Sequence, residues 1–184
     1  MVHSDIINQT KKWITDVVIG CNFCPFAARE VKRGTVHYEV LAGDEDILLA
    51  ASLSLMQLLD ENEAIETALL ILPNGFEDFE HYLDLVENVQ DILEENDYEG
   101  IYQVASFHPG YMFEGSNEQD ASNYTNRSPY PMLHFLRESS VSKAVDSYPD
   151  IDSVPERNIR FAQEKGLSHM QQLLAQCMLN QGRP

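Results

Sequence analysis

The sequence predicts an α/β (or α+β) fold: a small, three-stranded, mainly parallel sheet with two amphipathic helices on one face and the N- and C-terminal helices covering the other. Three observations carry this expectation. Three short strand-like segments are separated by two helix-length stretches, so each helix can return the chain to the starting end of the next strand. Within those stretches apolar residues recur at helical spacing, as Ile47, Ala51, Leu55, Leu58 and Leu59, and as Phe79, Leu83, Val86, Val89 and Leu93. The middle segment, Ala68 to Leu72, is apolar throughout, as a strand covered on both faces must be.

Taken in order, Ser4 is placed to cap a first helix running to about Ile19, with Gly20 as a left-handed stop. Cys21-Asn22-Phe23-Cys24 follows as a tight loop. Pro25 suits the first position of a short second helix ending near Gly34. The strand candidates are Thr35 to Leu41, Ala68 to Leu72, and Ile101 to Phe107. With the all-apolar strand in the centre, right-handed crossovers put both intervening helices on one face. His108 to Tyr130 is then a long aperiodic segment rich in Gly, Asn, Ser and Pro, and segments of that kind commonly carry function. Helices resume near Pro131, after Ser153 with Glu156 as capping-box partner, and at Ser168, with Gly182 closing the last.

The 184 residues suit one domain, 1–184, with 30 acidic and 12 basic side chains and a formal net charge of −18. The charge is uneven, since Asp44 to Gly100 holds 17 acids and no Lys or Arg. Such a stretch repels phosphate backbones, so no nucleic-acid partner is expected. No apolar run approaches about 20 residues and no secretory pattern opens the chain, so a cytoplasmic protein without a membrane partner is expected. Three cysteines in a chain of this size also fit a reducing compartment.

Four polar motifs stand outside this periodic framework. Cys21 and Cys24, two residues apart, suit half of a zinc site, a thiol–disulfide pair, or a simple buried turn. Cys24 also stands where a helix N-cap would favour its thiolate, which makes it a candidate nucleophile. His108 closes the third strand, where ligands of open parallel sheets bind, and it could act as base, metal ligand or turn residue. Asn126, Arg127 and Ser128 precede the helix expected at Pro131, whose free N–H groups would favour an anion. His134 and Arg137 would share a face of that helix with Glu138. The alternative for this segment is a polar network that anchors the long loop. Arg157 opens the next helix as a second anion contact or an ordinary ion-pair partner.

The motifs Gly-Cys-Asn-Phe-Cys-Pro-Phe-Ala at 20–27, Phe-His-Pro-Gly-Tyr-Met-Phe at 107–113, Thr-Asn-Arg-Ser-Pro-Tyr-Pro at 125–131 and Pro-Glu-Arg-Asn at 155–158 resemble an uncharacterised bacterial family. It is catalogued as domain of unknown function 1415. The resemblance spans nearly the whole chain. It implies a bacterial source and a single domain, and it transfers no catalytic residue.

The residues themselves suggest a small enzyme acting on an anionic small molecule. Cys24, His108 and His134 are its catalytic candidates, and Asn126, Arg127, Ser128, Arg137 and Arg157 its binding candidates. The rival is a zinc or interaction module held by Cys21, Cys24 and His108, and a third reading is a thiol redox protein using the two cysteines. Neither a Walker A nor a Gly-x-Gly-x-x-Gly pattern is present, so nucleotide cofactors have no support.

Overall fold

The computed structural model describes residues 2–179. Strands β1 (Val36–Val40), β2 (Thr67–Ile71) and β3 (Tyr102–Phe107) form where the sequence places them, and all five residues of β2 are buried. Asp44 and Asp78 cap the intervening helices α3 (Glu45–Glu61) and α4 (Phe79–Glu95), accepting the N–H of Ile47 at 3.1 Å and of His81 at 2.9 Å.

The segment expected to begin a helix at Pro131 is instead a fourth strand, β4 (Met132–Arg137). It lies antiparallel between β2 and β3, giving the order β1-β2-β4-β3 with only β1 and β2 parallel. The sheet is therefore four-stranded and mixed, rather than three-stranded and mainly parallel. Met132, Leu133 and Phe135 are all fully buried, so β4 is sandwiched on both faces. A short strand of this kind shows no alternation, and its apolar spacing fits either period. Pro129 and Pro131 bias the residues before them towards extended backbone, so the chain enters as a strand.

Helices α3 and α4 share one face, where Leu55, Leu59, Leu85 and Val89 pack on Leu70, Leu133 and Phe135. The opposite face is covered by α1 (His3–Trp13), the π-helical turn Ile14–Ile19, α6 (Val154–Lys165) and α7 (Leu167–Met178). Both faces are thus covered by the elements anticipated. Two further helices, α2 (Ala27–Arg33) and α5 (Glu138–Ser147), lie beside the starting ends of β1 and β2. Each buries a single residue, Glu30 and Ala144 respectively. This thin cover leaves space beneath it.

Several helix ends differ from expectation. Val2, not Ser4, precedes α1, and Gly20 has φ −61° while Asn22 takes the left-handed conformation at φ 56°. Gly34, at φ 70°, closes α2 as anticipated. Ser153 donates to the Asp150 carbonyl at 2.9 Å instead of making a capping box with Glu156, and α7 starts after Gly166 rather than at Ser168. Gly182 lies outside the described residues. Among those residues no helix is long and apolar enough to cross a membrane.

Candidate functional site

Beneath α2, α5 and the π-helical turn lies a cavity of about 330 Å³. Its floor is the sheet face carrying Val36, Thr67, Leu69, Gln103, Ala105, Phe107, His134 and Leu136. Trp13, Ile14 and Val18 form one wall. Phe26, Ala27, Val31, Val141 and Ala144 form the cover, and Phe26 meets Tyr148 edge-on at 5.8 Å. The lining is overwhelmingly apolar with a few polar groups set into it, as small-molecule sites usually are. The cavity reaches the starting ends of the parallel strands, not the carboxyl ends where His108 stands. The rule for open parallel sheets fails here because an antiparallel strand fills the gap between β2 and β3.

His134 is the most constrained polar group on the floor. Its Nε2 lies 2.7 Å from Thr67 Oγ1, and that hydroxyl lies 2.6 Å from the Phe135 carbonyl oxygen. A threonine hydroxyl has one proton, and a carbonyl can only accept. The Thr67 proton therefore goes to Phe135, and Nε2–H donates to Thr67. Nδ1 is left as a lone pair with no partner among the described residues. Burial disfavours the imidazolium and pushes the pKa down to about 4. The ring is neutral at pH 7, with a fixed tautomer.

The cations that border the cavity are occupied. Arg29 donates to Glu30 at 2.5 Å, and Thr35 donates to the same carboxylate at 2.8 Å. Burial alone would raise the Glu30 pKa, but these hydrogen bonds and the charges of Arg29 and Arg33 hold it below the usual range. Arg137 donates to the carbonyls of Leu59, Ile65 (3.1 Å) and Asn62 (3.4 Å) and to the Tyr102 hydroxyl at 3.2 Å. It fastens the end of α3 to the sheet. In contrast, Glu66 has a buried Oε1 without a hydrogen-bond partner among the described residues.

The other expected residues lie elsewhere. His108 is 1% exposed and stacks on Tyr82, on the α4 side of the sheet, with ring centroids 4.9 Å apart. Its Nε2 lies 2.8 Å from the Phe76 carbonyl, and its Nδ1 accepts the Gly110 N–H at 2.9 Å, so main chain engages both nitrogens. Arg127 donates to the carbonyls of Tyr111 (3.0 Å) and Glu118 (3.3 Å), with its guanidinium 4.7 Å from the Tyr124 ring centroid. With β4 following, no helix N-terminus adjoins it, which removes the anion site drawn from one. Ser128 donates to Tyr130 at 2.5 Å, and the Asn126 carbonyl accepts His108 N–H at 3.4 Å. Buried Asn123 accepts from Phe113 N–H and Ser116 Oγ at 3.0 Å and donates to Asn117 at 2.8 Å. These contacts fold the loop 108–130 upon itself.

The cysteine turn is pinned from α6. Arg157 donates to the Asn22 carbonyl at 2.5 Å, and Asn158 donates to the Phe23 carbonyl at 2.7 Å. Two of the distant motifs thus meet through main-chain carbonyls. Cys21 and Cys24 are free thiols, and burial raises the pKa of Cys21. Cys24 lines the cavity, but α2 begins only at Ala27, so Cys24 is not its N-cap. Among the described residues no three of His, Cys, Asp and Glu come together to hold a metal ion, so Cys21, Cys24 and His108 are not gathered into one ligand set. Cys24 and His134 border one space, while His108 and Arg127 are absent from its lining. Thr67, Glu66 and Gln103 also border it. Each looks like ordinary strand or strand-edge sequence, and only the alternation of β2 and β3 could have set Thr67 and Gln103 on the same face.

Fold and site together define a mixed α/β protein with a largely apolar cavity between its sheet and a thin helical cover. The chain belongs to the family described as protein of unknown function (DUF1415), whose model matches residues 5–172. No curated protein and no solved structure gives a significant match.

Proposed function

We propose that this protein is a small enzyme whose substrate binds in the cavity under α2 and α5, with His134 engaging the substrate's polar atom. One observation carries the reading: a polar ring is set into an apolar cavity of about 330 Å³, with one nitrogen fixed by Thr67 and the other without a partner among the described residues. A bound molecule with a hydrogen-bonding group beside an apolar body would satisfy that nitrogen while covering the apolar surface around it. Cys24 supports the catalytic side of the proposal, because it lines the same space. An expected anionic substrate finds less support here than a neutral one, since Arg29 and Arg137 are already engaged.

Toluene and benzyl alcohol are suitable probes of the cavity. Each should shift the NMR resonances of Leu69, Ala105, His134 and Val141 and leave those of His108 and Arg127 in place. Ala105→Phe, which adds a ring on the floor, should abolish those shifts. Shifts confined to the 108–130 loop, or none at saturating probe, would refute the proposal.

A further inference from the structure

The unmet hydrogen-bonding capacity of the cavity has a sign, and it selects a ligand class. The Thr67 hydroxyl is committed to the Phe135 carbonyl, so it can only accept from His134 and fixes the imidazole proton on Nε2. Rotating the ring or moving its proton would break this pair. Nδ1 is therefore an acceptor on a residue that lines a largely apolar space, with Glu66 as a second acceptor at the margin. The neighbouring cations are spent on Glu30 and on main-chain carbonyls. Gln103 comes from the same face of β3. It is paired with Leu136, which lies two residues beyond His134, so Gln103 and His134 are diagonal neighbours on one sheet face. No partner for that amide exists among the described residues, and it can donate or accept.

We infer that the cavity selects neutral, largely apolar small molecules bearing an N–H or O–H group, which donate to His134 Nδ1, and discriminates against carboxylates of the same shape. This inference rests on the cavity being the binding site. A carboxylate would bring two acceptors against an acceptor nitrogen and the Glu66 side chain. A hydroxyl or indole-type N–H completes the hydrogen bond while its apolar body takes the space beneath Phe26, Val31 and Val141.

Indole and indene form a matched pair, differing in whether the five-membered ring carries N–H or CH₂, and benzoate supplies the anionic case. Binding to the wild-type protein, followed by NMR titration at pH 7, should be about three- to tenfold tighter for indole than for indene, the range expected of one hydrogen bond. Benzoate should be the weakest. His134→Phe should bind both bicyclic probes with that preference gone, and Thr67→Val, which releases the imidazole proton, should reduce it. Equal affinity for indole and indene in the wild type, or tightest binding of benzoate, would overturn the inference while leaving the cavity as the site. Failure of all three probes to bind would overturn the cavity reading and the inference together. The wild-type comparison decides the matter even if a variant does not fold.

Discussion

His108 and His134 lie against opposite faces of the same sheet and spend their ring nitrogens differently. His108 gives both to main chain, at Phe76 and Gly110, within the aromatic stack of Phe79 and Tyr82. His134 lines an apolar cavity and gives one to Thr67, while the other has no partner among the described residues. Burial lowers the pKa of both rings, so titration alone would not separate them. What separates them is unused hydrogen-bonding capacity. The contrast extends to their surroundings. The polar loop 108–130 is self-satisfied around Asn123 and Arg127, whereas the sheet face beneath α5 leaves His134 Nδ1, the Gln103 amide and Glu66 Oε1 without a hydrogen-bond partner among the described residues. In this molecule, density of polar residues marks internal scaffolding.

The same substitution at both positions should give sharply different losses of stability. His108→Phe preserves a stacking ring but orphans the Phe76 carbonyl and the Gly110 N–H, and should cost about 4 kcal/mol in urea unfolding. His134→Phe orphans no main-chain group, because Thr67 still donates to Phe135. It should change stability by about 1 kcal/mol or less. Equal losses at the two positions would place His134 in the scaffold with His108.

The next effect is in pH. The His134 pKa lies at about 4 in the folded chain against 6.5 for an unperturbed histidine. Between those values the unfolded chain binds the proton and the folded chain does not, so stability falls as pH falls through this window. The contribution is fully present above pH 6.5, and about 3 kcal/mol is lost by pH 4. His108 acts in the same direction. Unfolding curves for wild type and His134→Phe over this range should diverge. Parallel curves would contradict a neutral His134.

A smaller effect tests the loop. Arg127→Ala removes donors to Tyr111 and Glu118 and the contact with Tyr124, and should destabilise by about 2 kcal/mol. Phosphate and carboxylates should give the wild type no added thermal stability. Stabilisation by such anions that disappears with Arg127→Ala would restore an anion site there.

The smallest effect is one of thiol reactivity. Cys177 is fully buried and donates to Leu173 at 3.2 Å, and burial pushes its pKa up to about 11. Cys24 borders the cavity. Alkylation should modify Cys24 well before Cys177, and indole should slow it. Faster reaction at Cys177 would remove Cys24 from the proposed site.

Much of the fold is legible in the sequence because it rests on repeated local signals. The apolar run at 68–72 marks a buried strand, and the stripes of α3 and α4 place both helices on one face. β4 is not legible for a complementary reason. Met132 to Arg137 is buried on both sides, follows two prolines, and carries a histidine and an arginine that fit an exposed helical turn equally well. The cavity is less legible still. It is a space bounded by short pieces of α1, α2, α5 and all four strands, and no single stretch of sequence encodes it. His134 enters the proposal by its place on a strand face opposite Ala105 and beside Thr67, not through the helical pairing with Arg137 and Glu138 that the sequence suggests. The motifs Cys21–Cys24 and Arg157–Asn158 are conspicuous in sequence, and the structure joins them by hydrogen bonds across the chain.

Nitrogen-15 NMR of the imidazole rings reads the tautomer of His134 directly. At pH 7 His134 should be neutral with its proton on Nε2. Its Nδ1 resonance should be that of an unbonded lone pair, and it should move towards the hydrogen-bonded range when indole is added. The His108 nitrogens should stay fixed throughout. A His134 protonated on Nδ1, a charged ring at pH 7, or an Nδ1 resonance unmoved by bound indole would contradict these expectations.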